Sequence, residues 1–213
     1  MSSPSIVLAT RNPGKLAEIR DVLTPLGVQV VSLEAFGPIP EPPESEETFA
    51  GNARRKALDY ARATGYWCLA DDSGLVVDAL DGAPGVRSAR YAAECMPADA
   101  PRGVIDEANN RRLLEALADV PDERRTARFV CHLTLASPQG VLLEAHGTVE
   151  GRIAHRPAGG NGFGYDPLFY VPELGCTTAE LPPERKNRIS HRGKAVREFA
   201  QRYQRWRQAS PTA

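Results

Sequence analysis

The stretch IVLATRNPGKLAEIRDVLTPLGVQVVS, Ile6 to Ser32, decides the fold class. Ile6-Val7-Leu8-Ala9 is a short apolar run that reads as a fully buried strand. A polar turn follows at Thr10 to Gly14. Leu16, Ile19, Leu23 and Leu26 then recur at helical spacing, which predicts an amphipathic helix ending near Gly27. Val28 to Ser32 reads as a second strand. A βαβ-like opening of this kind argues for an α/β fold.

Working outward, Pro38 to Glu47 holds four prolines and four glutamates and must be a loop. A helix is expected from about Glu47 to Ala63, closed by Gly65. Trp67 to Ala70 reads as a buried strand running into Asp71-Asp72-Ser73-Gly74, with Leu75 to Val77 extended again and a turn at Gly82 to Gly85. A third helix is expected over Val104 to Ala118. Ala127 to Ala136 and Gly140 to Val149 form a hairpin. Arg156 to Gly164, with four glycines, is a loop. Ser190 is placed as an N-cap, followed by a helix whose Val196, Phe199, Tyr203 and Trp206 make one apolar stripe. Ala209 to Ala213 is expected to fray.

The chain has 213 residues, 26 basic and 27 acidic, and a formal net charge of -1. Phosphate-backbone binding needs a basic surface, so this balance argues against a nucleic-acid-binding protein. The four cysteines, Cys68, Cys95, Cys131 and Cys176, are too dispersed for a zinc site or a disulfide framework. They read as reduced thiols, at least two of them in the core. Met1 to Ser5 lacks a basic leader start, and Ile6 to Ala9 is too short for a membrane span. The expectation is a cytoplasmic protein with no membrane association.

Four stretches carry chemistry. Thr10-Arg11-Asn12-Pro13-Gly14-Lys15 sits between a strand and a helix start, where backbone N–H groups and the helix dipole favour an anion. It is no P-loop: Ala9 and Leu16 stand where a glycine and a magnesium-binding hydroxyl are needed. An ordinary βα turn accounts for it equally well. Asp71-Asp72 places two carboxylates at the end of a buried strand. They raise each other's pKa unless a cation intervenes, and strand alternation puts one toward a site and the other in a structural role. A turn with Asx capping is the alternative. Phe163-Gly164-Tyr165-Asp166-Pro167 offers an aromatic ring for stacking on a planar base, although Tyr165 fits a core plug at least as well. Lys186, His191 and Arg192 gather cations near a helix start at Ser190, which makes sense if they donate to a ligand, although a basic solvated turn by itself accounts for the stretch better. Cys131 and His132 are adjacent in a strand and read as core.

Taken together, LATRNPGK, ADDSGL with GAPGVRSARY, GFGYDP and KNRISHRGKA, in this order, resemble the Ham1-like inosine/xanthosine triphosphate pyrophosphatase family from about Ile6 to Tyr203. The resemblance implies a long mixed β-sheet with flanking helices, two lobes around a central nucleotide-binding groove, residues 1–213 as one such domain, and a homodimer. It implies magnesium-dependent (Mg2+) hydrolysis of ITP, dITP and XTP to monophosphate and pyrophosphate. It assigns Thr10, Arg11, Asn12, Pro13, Gly14 and Lys15 to the triphosphate, Lys56 to phosphate neutralisation, and Glu44 and Asp72 to the metal. Asp72 is also the implied general base. Ser73, Phe163, Gly164, Tyr165 and Asp166 would contact the nucleotide, and Lys186, His191 and Arg192 the purine edge. The chain departs from the pattern at Arg11, where glycine is frequent, and at Gly51, where a glutamate often precedes Asn-Ala. A Maf-type pyrophosphatase and a non-catalytic nucleotide sensor are the competing readings.

Overall fold

The computed structural model describes residues 5–97 and 99–209. Most of the expected frayed end at Ala209 to Ala213 and most of the Met1 to Ser5 segment lie outside the described residues, as do the side chains of Pro13, Glu18, Leu26 and Cys95.

Seven strands form one mixed sheet in the order β2-β1-β3-β4-β5-β6-β7. They are β1 (Ser5–Leu8), β2 (Gln29–Ser32), β3 (Trp67–Val77), β4 (Thr126–Ser137), β5 (Gly140–Ile153), β6 (Phe169–Val171) and β7 (Cys176–Thr177). β1 runs parallel to β2 and β3, whereas β6 is antiparallel to β5 and β7. The helices are α1 (Pro13–Leu23), α2 (Phe49–Thr64), α3 (Arg102–Ala116), α4 (Pro183–Ile189) and α5 (His191–Ala209). The α/β class expected from the opening βαβ pattern is the one observed, with the mixed sheet that the family resemblance implies.

The chain forms two compact units. The first comprises residues 1–72, 131–147 and 191–213, and the second 73–130 and 148–190. In the first unit β1 is buried on both faces, as a parallel strand between helices must be. Ile6 and Leu8 join a core with Ile19, Leu23, Leu69, Val196, Phe199 and Tyr203, and Val7 and Ala9 join a second core with Ala57, Tyr60, Ala61, Cys68 and Ala70. α2 starts on the Thr48 hydroxyl, which accepts from Gly51 N at 3.0 Å, and stops at Gly65, whose φ of 75° is the left-handed conformation glycine tolerates. Its buried stripe of Ala53, Ala57, Tyr60 and Ala61 follows helical spacing. In the second unit Leu75, Val77, Leu113, Leu117, Phe129, Tyr165, Leu168 and Phe169 make the core.

Two elements differ from the sequence expectation. Asp71 to Gly74 lies within the single continuous strand β3 rather than in a turn. Both carboxylates find cationic partners without leaving extended geometry, so the strand has no need to break. α4 precedes α5 and was not anticipated; Pro183 in its first turn suits a helix start. Ser190, at φ -62° and ψ 153°, is the extended residue directly before α5, the N-cap position expected of it.

Cys68, Cys131 and Cys176 are free thiols, the first two buried. Burial pushes the Cys68 thiol up to about 11 and the Cys131 thiol up to about 12. At pH 8 the Cys68 thiolate fraction is about one in a thousand. We expect iodoacetamide at that pH to leave both unmodified in the folded protein and to alkylate them in denaturant, as mass spectrometry of peptides would read.

Candidate active site

Side chains on β3 alternate faces, and this alternation sets up two ionic clusters in the first unit. Leu69 and Asp71 point toward α1 and α5, while Cys68, Ala70 and Asp72 point toward α2.

On the first face Asp71 Oδ2 lies 2.8 Å from Lys15 Nζ on α1 and 3.6 Å from Arg192 Nε on α5. The Asp71 and Arg192 side chains are 1% and 3% exposed. Burial alone would raise the Asp71 pKa, but Lys15 and then Arg192 overcome it and hold the carboxyl well below the usual carboxylate range. Asp71 is therefore a fixed anion that orients two cations.

On the second face Lys56 Nζ is shared by two carboxylates. It contacts Glu44 Oε1 closely and Asp72 Oδ1 at 3.2 Å. Asn52 Nδ2 donates to Asp72 Oδ2 at 3.2 Å, and Asn52 Oδ1 accepts from Glu46 N at 3.0 Å. One buried asparagine thus ties the acidic loop to the β3 carboxylate. Burial raises the Asp72 pKa; Lys56 pulls it down, nearby Glu44 pushes it up again, and the net shift is upward. Lys56 is itself shifted upward, its carboxylate partners outweighing burial. One lysine does not neutralise two carboxylates, so the cluster carries surplus negative charge.

The loop before α1 is organised differently from a simple anion cradle. Asn12 Oδ1 accepts from Gly14 N at 2.9 Å and Lys15 N at 3.1 Å, while Leu16 N donates to Asn12 O at 3.0 Å. Those first-turn amides already have acceptors. What the loop still offers an anion is the helix dipole and side chains. Thr10 Oγ1 accepts from Asn12 N at 3.2 Å, and exposed Arg11 donates to Ile39 O at 2.6 Å.

Of the remaining expected residues, Phe163, Asp166 and Lys186 cluster in the second unit. Lys186 Nζ lies 2.5 Å from Asp166 Oδ2 and 4.9 Å from the centroid of the Phe163 ring. Asp166 Oδ2 also accepts from Phe163 N at 2.8 Å, and Oδ1 accepts from the Thr178 hydroxyl at 2.8 Å. Phe163 is 36% exposed, an unusual position for a large apolar ring. Gly162, at φ +79°, leaves room for this carboxylate, since a Cβ there would come within 2.1 Å of Asp166 Oδ2. Tyr165 packs in the core and donates its hydroxyl hydrogen to Ser88 O at 2.9 Å. Ser73 and His191 are half-buried.

The structure gathers some of the expected residues into three groups, Lys15 with Arg192 around Asp71, Glu44 with Lys56 around Asp72, and Phe163 with Lys186 around Asp166, whereas Thr10, Arg11 and Asn12 stay in the loop before α1 and Tyr165 packs in the core. Two residues with clear roles were not singled out from sequence. Asn52 stands four positions before Lys56, one turn away on the same helical face, and that spacing is a readable signal. Thr178 carries no sequence signal; only the fold brings it to Asp166.

Among the described residues no set of three or more His, Cys, Asp or Glu side chains is arranged to hold a metal ion, and no helix is long and apolar enough to cross a membrane. A family model described as the Ham1 family matches residues 6–202. A dITP/XTP pyrophosphatase of Desulforamulus reducens is 53% identical over 192 residues, covering 90% of this chain and 92% of its own length. One of Geobacter sulfurreducens is 52% identical, with 90% and 92% covered. Among solved structures, a HAM1 protein from Coxiella burnetii superposes with a TM-score of 0.85 at 42% identity, covering 95% of this chain and 99% of its own. A nucleoside-triphosphatase, dITP/XTP pyrophosphatase, from Mycobacterium abscessus gives 0.74 at 45% identity, with 92% and 97% covered.

Proposed function

Because the chain belongs to the Ham1 family, we propose that it hydrolyses the non-standard purine triphosphates dITP, ITP and XTP to monophosphate and pyrophosphate, removing them from the nucleotide pool. The observation that carries this reading is the Asp72 cluster, in which two carboxylates share one buried lysine beside a second buried carboxylate with its own cations. A binding protein has no need of such surplus negative charge where a polyanion is to be held.

Glu44 and Asp72 fit a divalent cation. Both are oxygen donors, magnesium needs only one or two protein carboxylates beside phosphate oxygens, and the surplus charge favours a cation there. Magnesium bound by them would neutralise charge on the triphosphate. Lys15, with the side chains of Thr10, Arg11 and Asn12 and the dipole of α1, whose first turn holds Pro13 and Gly14, takes the triphosphate, and Lys56 adds positive charge. Asp72 orients a water and accepts its proton. The water oxygen bonds to the α-phosphorus as the bond to the pyrophosphate oxygen breaks.

Phe163 stacks on the base, with Gly164 and Asp166 beside it and Ser73 contacting the nucleotide. Lys186 adjoins that ring and is the donor best placed for the 6-oxygen of hypoxanthine or xanthine. Arg192, oriented by Asp71, and His191 supply further donors. A donor that meets adenine's 6-amino group instead is left unsatisfied, which penalises ATP strongly. The two units act as one catalytic domain, in a cytoplasmic homodimer.

The test is pyrophosphate release from ITP, dITP, XTP and the standard triphosphates, with and without magnesium. We expect magnesium-dependent turnover of the inosine and xanthosine forms at least about a hundredfold above ATP, the discrimination that buried polar mismatches supply. Equal turnover of the standard nucleotides would overturn the reading.

A further inference from the structure

We infer that Asp106 and Asn110 on α3 are positioning residues for Phe163, acting as a clamp on the peptide that follows it. This rests on the proposed role of Phe163 in stacking on the base. Asp106 Oδ2 accepts from Gly164 N at 2.9 Å, and Asn110 Nδ2 donates to Gly164 O at 2.9 Å. The two side chains stand four residues apart, one turn along the same face of the helix, and hold both polar groups of one residue.

That residue is the one most in need of holding. Gly164 adopts φ +62° and, without a Cβ, has little intrinsic barrier to leaving it. The amide on the other side of Phe163 is also fixed, since Phe163 N donates to Asp166 Oδ2 at 2.8 Å. Carboxylates from two elements therefore hold the peptide groups flanking the Phe163 Cα, and with them its backbone dihedrals. With its ring 36% exposed and Lys186 Nζ 4.9 Å from its centroid, Phe163 takes its direction from its backbone as well as from its contacts. Asp106 is in turn steadied by Arg102, 3.0 Å away. A ring set in place before the base arrives loses less freedom on binding. The clamp holds the stacking ring and none of the residues assigned to the phosphates or the chemistry, so its contribution is to binding rather than to the chemical step.

The experiment is a kinetic cycle with XTP. Stacking of a base on an aromatic ring corresponds to roughly 5- to 150-fold in affinity, so Phe163→Ala should raise KM by about that factor. Asp106→Ala/Asn110→Ala should raise KM by about 3- to 30-fold, no more than Phe163→Ala does, with kcat within about twofold. Added to Phe163→Ala, the pair should change KM by less than about twofold. Asp106→Asn, which keeps an acceptor for Gly164 N, should restore most of the loss. An equal effect of the pair in the Phe163→Ala background, or a fall in kcat with KM unmoved, would overturn the inference. A readout without catalysis separates it from the functional reading: hydrogen exchange at the Gly164 amide should speed up in Asp106→Ala and stay slow in Asp106→Asn. Unchanged protection in Asp106→Ala would overturn the clamp whatever the substrate proves to be.

Discussion

Asp72→Asn is expected to lower kcat for XTP by about 10²- to 10⁴-fold, the range for losing a positioned general base, while the protein stays folded. Asparagine keeps the shape of the side chain and one carbonyl oxygen. That oxygen can still accept from Asn52 or Lys56, which now stand 3.2 Å from the two carboxylate oxygens. Lys56 keeps Glu44 as a charged partner, so no buried cation is stranded. Removing one of two carboxylates that share a single lysine also relieves like-charge repulsion. Melting temperature should therefore move by no more than a few degrees, as scanning calorimetry would show. Turnover within about tenfold of the unmodified enzyme would sink the assignment of Asp72 as base. A large fall in melting temperature would instead show that the carboxylate is structural. Glu44→Gln provides the comparison: it leaves Asp72 in place, and its loss should be recovered in part by raising magnesium.

How much of this was readable in the chain follows from the range over which each signal acts. The opening strand-helix-strand unit depends on local periodicity and on parallel pairing that its length forces, and β1, α1 and β2 fall where the apolar spacing puts them. The opposed roles of Asp71 and Asp72 follow from strand alternation alone. Which cation answers each carboxylate does not, because Lys15, Lys56 and Arg192 reach them from three helices distant in sequence. Arg192 shows the limit most clearly. Read as a cation at a helix start it needed a ligand, yet a buried aspartate on β3 already orients it. The anion reading of the Thr10 to Lys15 loop met a similar limit. Backbone N–H groups were to bind the anion, but the Asn12 side-chain oxygen, as N-cap, already accepts from those of Gly14 and Lys15. Asp106 and Asn110 carried no signal at all, since a helix face bearing Asp and Asn reads as a solvated one until Gly164 is seen beside it.

Asp71→Ala should cost the most stability of any single change at these clusters. The carboxylate is 1% exposed and stands between Lys15 and Arg192, and the Arg192 side chain is itself 3% exposed. Replacing such a buried pair with apolar residues is often tolerated, whereas removing one partner leaves a charge with neither water nor a counter-ion. Here the deletion leaves two like charges facing one vacated position. The expected loss is about 3–5 kcal/mol, which in a chain of this size lowers the melting temperature by roughly 10 °C. Lys15→Ala gives the contrast. It leaves Asp71 with Arg192, and Lys15 is 20% exposed, so its removal should cost less stability than Asp71→Ala while reducing turnover through the triphosphate. The double variant Lys15→Ala/Asp71→Ala should be more stable than the sum of the two losses, because removing Lys15 takes away one of the stranded cations. Should Asp71→Ala fail to fold, that double variant is the fallback on which the coupling is read. A melting temperature for Asp71→Ala within about 2 °C of the unmodified protein would mean that water or another group already satisfies Lys15 and Arg192. Asp71 would then not be the anchor that orients them.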